Sequence, residues 1–134
     1  MLRSVPLLIV PFILFNLGLA GMLGTGTATP WDQVLFNLPM MSGGSFSMTL
    51  GDLLVLVALL LLFVEILKAT RTSNASVVDH LLSIFVFVAF LVEFLLVEGA
   101  ATSVFFILMT VAFVDVLAGF AVSLRSAGRD VNFG

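Results

Sequence analysis

Four long apolar runs, separated by short polar stretches, organise the chain: roughly residues 4–24, 51–67, 77–97 and 102–124. A bilayer-crossing helix needs about 20 mostly apolar residues, and none of these runs alternates with the period of a half-buried strand. Residues 77–97, rising about 1.5 Å each, cover about 31 Å, close to one hydrocarbon thickness. The pattern predicts an all-α membrane protein, one domain over residues 1–134 with four transmembrane helices. The links after the second and third runs are short, so those neighbours pack antiparallel. The only long connection is residues 25–50.

Punctuation refines these boundaries. The first run is longer than the usual apolar core of a signal peptide, about 7–15 residues, and reads as a retained span. Pro6 fits its first turn, whereas Pro11 removes a backbone bond and predicts a kink near the inner end. Thr49-Leu50-Gly51-Asp52 and Ser76-Val77-Val78-Asp79 each place an acid three residues after a hydroxyl, the pattern of a capping box. Asp52 and Asp79 therefore read as first-turn anions facing a helix dipole. In the long connection, Thr29-Pro30-Trp31-Asp32 has the cap, proline and acid of a helix start, and Pro39 is a stop. A short amphipathic helix over Pro30 to Leu38 is expected along the outer interface, with Trp31 at headgroup depth. Alternation across Met40 to Met48 around Gly43-Gly44 suggests a small hairpin. Trp31, Met40, Met41 and Phe46 are then either a lid on the bundle or a partner-docking surface.

Composition strengthens the membrane reading. The chain is 61% hydrophobic and 10% charged with mean hydropathy +1.29, whereas soluble domains carry about 25% charged residues. A net charge of −3 with five Lys and Arg leaves no basic stripe for nucleic acid. Cysteine is absent and His80 is the one histidine, so no thiolate or histidine cage for a metal is expected. Arg3, Lys68, Arg71, Arg125 and Arg129 fall on one face of a four-span topology, which puts both termini in the cytoplasm.

Against that apolar background stand three acids within the spans: Glu65, Glu93 and Asp115. A charged group in hydrocarbon is costly, so such residues face protein or water and are functional candidates. Asp79, Ser83, Val86, Phe90, Glu93 and Val97 share one stripe of the third span. Ala112, Asp115, Gly119 and Val122 share one of the fourth, where small residues permit close approach. On the second span Lys68 follows Glu65 by three positions and offers a counter-charge. A ladder from Glu98 and Glu93, past Asn16 and Thr110, to Asp115, Glu65, Asp79 and His80 could pass protons or hold a small cation. The structural alternative has Glu93 and Asp115 protonated and hydrogen-bonded to Asn16, Ser83, Thr110 or a partner chain. Glu65 would pair with Lys68, and His80 would be a surface residue.

Signatures of catalysis are missing from the sequence: no H-E-x-x-H, no G-x-S-x-G, and no glycine-rich phosphate loop between a strand and a helix. No catalytic residue, cofactor or metal is expected. The stretches Gly51–Leu54, Glu65–Thr72, Val78–Ser83, Val92–Val97 and Asp115–Phe120 resemble a group of small four-span inner-membrane proteins of alphaproteobacteria. That resemblance implies the fold and the bacterial inner membrane, and it implies no activity. Taken together, the residues suggest an accessory or scaffold subunit that self-associates or joins other integral membrane proteins in the lipid bilayer. The contrasting expectation is a small oligomeric proton or cation conductor using Glu93, Asp115 and Glu65.

Overall fold

A computed structural model describes residues 5–21, 30–70 and 74–133. Four helices dominate it: α1 (Ile9–Leu19), α2 (Leu50–Ala69), α3 (Asn74–Leu96) and α4 (Ser103–Phe133). Between α1 and α2 lies a two-stranded antiparallel sheet, β1 (Val34–Pro39) with β2 (Ser45–Thr49). Single 3-10 turns occupy Pro30–Asp32 and Glu98–Ala100. The expectations placed on Thr29, Arg3 and Arg71 lie outside the described residues, as do the side chains of Ser76, Arg125 and Arg129.

Three helices have stretches long and apolar enough to cross a membrane: Leu50–Ala69, Val78–Leu96 and Ser103–Val122. Their outward faces are apolar, with Leu60, Phe85 and Leu95 each 69% exposed, while Glu65, Asp79, Ser83 and Asp115 are buried. Large apolar groups outside and acids inside reverse the soluble pattern and suit a hydrocarbon solvent. At 31 residues, α4 rises about 46 Å and outruns a hydrocarbon core of about 30 Å. It continues past the expected end at Leu124.

α4 packs along both α2 and α3. The core is aromatic: Phe12 of α1 meets Phe90 of α3 edge-on at 4.9 Å, and Phe15 meets Phe105 of α4 at 4.8 Å. α1 itself has only 11 residues, well short of the expected 4–24 span. The cause is Pro11. In a helix extended towards the N-terminus, its ring would collide with the carbonyl four residues back, that of Leu7. The helix therefore starts at Ile9, and Pro11 sits in its first turn where no bond is lost, so the expected kink is replaced by an early end. Before it, the chain makes tighter turns, with Ile9 N–H donating to Pro6 O and Val10 N–H to Leu7 O at 3.2 and 3.0 Å.

The connection differs more from expectation. The helical part of Pro30 to Leu38 is a single 3-10 turn, and Val34 to Pro39 is a strand. The start signal is obeyed for one turn only. Val34, Leu35 and Phe36 favour extended backbone, and pairing across the sheet satisfies their amides. Phe36 faces Met48, Asn37 faces Ser47, and Leu38 faces Phe46. The strands are joined through Met40–Gly44, where Met40 N–H donates to Gly44 O and Gly43 takes φ of +90°, a conformation that suits glycine.

Trp31 does not stand on an exposed amphipathic helix. It is buried, stacked on Phe15 at 5.1 Å, over the bare backbones of Gly18 and Gly51. At the head of α2 the capping box is present: Asp52 N–H donates to Thr49 Oγ1, and Thr49 N–H to Asp52 Oδ2, both 3.1 Å. The second expected box rests on the Ser76 side chain, which lies outside the described residues. α3 starts at Asn74, so Asp79 lies in its second turn and points inward.

Candidate functional site

The Lys68 end of the bundle is defined by what Pro6 and Pro11 leave undone. Leu7 N–H has no helical acceptor, and in hydrocarbon an unmet amide costs several kcal/mol. Glu65 of α2 answers it: Leu7 N–H donates to Glu65 Oε1 at 2.7 Å. One turn on, Lys68 Nζ donates to Val5 O at 2.8 Å and to Glu65 Oε1 at 3.0 Å. Its remaining side faces Asp79 Oδ1 of α3 at 3.3 Å. That contact is an ion pair by distance without hydrogen-bond alignment, so Asp79 Oδ1 has no hydrogen-bond partner among the described residues. An ammonium carries three donors; two are used in hydrogen bonds here, and the side towards Asp79 is held by charge alone.

Around this knot, Ser83 Oγ donates to Asp79 O at 3.0 Å. Asp115 of α4 lies beside Ser83 and within electrostatic reach of Glu65, Asp79 and Lys68. His80 is half-buried rather than a free surface residue, its ring seated on Gly119 where a Cβ would lie only 2.5 Å from Nδ1. The result is two carboxylates from two helices, Glu65 and Asp79, on one ammonium, with Glu65 1% exposed and Asp115 buried nearby on α4.

A second polar pair lies towards the other end. Asn16 Nδ2 donates to Phe12 O at 2.9 Å and to Glu93 Oε2 at 3.2 Å, which spends both hydrogens of the amide. Between the two polar sites the interior is apolar: Ala58, Val86, Phe90, Leu108, Val111 and Ala112 are buried. From Glu93 to Ser83 on α3 this layer is about 15 Å deep.

The expected ladder is thus divided. Glu65 and Asp115 come together, Asn16 meets Glu93, and the two groups stay apart. Thr110 is exposed and donates to its own helix at Phe106 O, and Glu98 is exposed in a turn. Asp79 was the residue undervalued by the cap reading, although its place on the stripe with Ser83, Val86 and Phe90 already pointed inward. In the connection, Met40, Met41 and Phe46 are exposed, whereas Trp31 is buried and so is not part of an open docking surface.

The described residues hold no group of three His, Cys, Asp or Glu placed to bind a metal ion. What the Glu65–Lys68–Asp79 cluster can do is fasten an irregular backbone segment to two helices. No family model, curated protein or solved structure matches the chain.

Proposed function

We propose that the chain is a non-enzymatic accessory or scaffold subunit of the bacterial inner membrane, which associates with itself or with a larger integral complex. One observation carries this reading: the polar groups inside are engaged with internal partners and divided by a buried apolar layer, while the outside is apolar on all three long helices. Such a molecule has its chemistry turned towards its own assembly and its contact surface turned towards the bilayer.

In this reading α1 and the turn before it make a fourth crossing. The helix contributes about 16 Å and the tighter turns of residues 5–8 about 8 Å more, and the contacts run from Glu65 at one end of α2 to Gly51 beneath Trp31 at the other. The five basic positions then gather at the Lys68 end, which puts both termini in the cytoplasm. The chain has no cysteine, so single-cysteine labelling is clean. Met41→Cys should react with an impermeant reagent on intact spheroplasts, and Thr70→Cys only after lysis. The reverse pattern removes the orientation.

Isolation in mild detergent, followed by native mass measurement, tests the role itself. A fixed oligomer, or another integral protein at fixed stoichiometry, is the expected result. A lone monomer in detergent and in nanodiscs overturns it. The conductor is a second reading, favoured by the buried acids Glu65, Asp79 and Asp115 inside an apolar bundle, and proton flux into liposomes containing purified protein decides for or against it.

A further inference from the structure

The β1–β2 ribbon has two unlike faces. Side chains alternate along a strand, so the register places Phe36, Leu38, Phe46 and Met48 together on one face, and Asn37, Pro39, Ser45 and Ser47 on the other. On the polar face Ser47 hydrogen-bonds Asn37. On the apolar face the Phe36 and Phe46 rings lie 6.1 Å apart, and Phe36, Leu38 and Phe46 are all exposed, as are Met40 and Met41 at the turn. An isolated two-stranded ribbon is marginal in water, and this one would hold its apolar face open to it.

We infer that this ribbon is a lipid-seating element: it lies on the outer surface of the membrane with the Phe36–Leu38–Phe46 face in the headgroup layer and the Asn37–Ser47 face in water. Three observations select lipid as the occupant. The ribbon is tied to the start of a membrane-length helix, because β2 runs into α2 and Leu50 N–H donates to Gln33 O at 2.8 Å. The apolar face therefore begins where the lipid-facing Leu53 and Leu56 of α2 begin. Next, the face is small. Two strands about 17 Å long and about 10 Å across offer about 170 Å², against about 800 Å² per partner in a stable protein interface. Finally, no charged residue occurs from Gln33 to Gly51, so the surface lacks the charges that would steer a protein partner or select an anionic lipid. The chemistry recognised is the acyl–glycerol boundary of a bilayer, independent of headgroup charge and independent of the accessory role proposed above.

Single-cysteine variants carrying a nitrobenzoxadiazole label test this in phosphatidylcholine nanodiscs loaded with one copy of the full chain. The probes are Leu38→Cys on the apolar face and Ser45→Cys on the polar face, both exposed and away from the helical core. Label at Leu38 should be quenched several-fold more by lipid carrying a doxyl group near the glycerol than by aqueous iodide, and label at Ser45 should show the opposite order. A further variant, Phe36→Ser with Phe46→Ser, should shift the Leu38 label towards iodide while the melting of the helices stays put. Equal iodide access at Leu38 and Ser45 overturns the proposal, because the ribbon then stands in water. Protection of Leu38 from both quenchers overturns it too, in favour of a protein cover, which a second copy per nanodisc would expose as a change in quenching.

Discussion

The two ends of this bundle solve the same problem by opposite means. At the Lys68 end a broken first helix leaves backbone groups unmet, and they are satisfied by charge: a carboxylate takes Leu7 N–H and an ammonium takes Val5 O. At the Trp31 end the chain also leaves regular structure, yet closure there is by contact between rings and glycine backbones, Trp31 on Phe15 and against Gly18 and Gly51. The difference follows from what each end leaves open. The broken first helix leaves an amide and a carbonyl without helical partners, whereas the connection at the Trp31 end pairs its strands in a small sheet. Charge closes the end where the first helix is broken, and shape closes the end where the chain passes into the ribbon.

The sharpest way to break the comparison is to remove the ammonium. Lys68→Met leaves Glu65 and Asp79 buried without their cation and frees Val5 O, and losing one partner of a buried ion pair costs about 3–5 kcal/mol. Thermal melting in a mild detergent should fall steeply or the protein should fail to accumulate. The double variant Lys68→Met with Glu65→Gln keeps an acceptor for Leu7 N–H and drops one stranded charge, so it should recover much of the loss. Melting of Lys68→Met close to that of the parent protein would falsify the ionic account of this end.

The opposite end is probed by size. A Cβ at Gly18 would run into the Trp31 ring, and one at Gly51 would meet Trp31 O at 2.9 Å. Gly18→Ala should therefore cost about 1–3 kcal/mol through overpacking. Trp31 fluorescence should shift to longer wavelength as the ring leaves Phe15, while a labelled Thr70 at the far end reports no change. A loss of stability with the Trp31 spectrum unmoved would mean that packing under the ring is not what closes this end.

This contrast also sorts what was legible in the sequence. Long apolar periodicity fixes α2, α3 and α4, because in lipid a helix satisfies its own backbone and little tertiary information is needed. The Thr49–Asp52 cap and the Glu65–Lys68 pair were readable for the same reason: both are contacts of three residues' reach. Asn16 with Glu93 was readable only as one of several pairings. The misreadings occur where a local signal met a distant one. Pro30 and Asp32 start a helix that the cross-strand partners of Val34–Leu38 stop. Asp79 resembles a cap until the chain from α2 brings Lys68 beside it. Pro11 reads as a kink in isolation, but it ends the helix, since Glu65 supplies an acceptor that only the folded bundle can offer.

The smallest expected effect sharpens the comparison most for function. Glu93 and Asp115 belong to different polar groups, separated by the layer of Val86, Phe90, Leu108 and Ala112. If both serve packing, neutral isosteres keep their shape and most of their hydrogen bonds. Glu93→Gln retains an acceptor for Asn16, and Asp115→Asn retains one for its neighbours, so each should cost about 1 kcal/mol and leave assembly intact. Glu93→Lys should prevent assembly, because no acid among the described residues is oriented to receive its charge there. If the two acids instead relay protons, the isosteres have no titratable group, and flux should vanish while the folded complex persists. Melting, complex recovery and proton flux measured on the same preparations separate these cases. The apolar layer makes the first outcome the expected one. The accessory role is lost if the parent protein alone makes liposomes proton-permeable and either isostere abolishes that permeability without changing assembly.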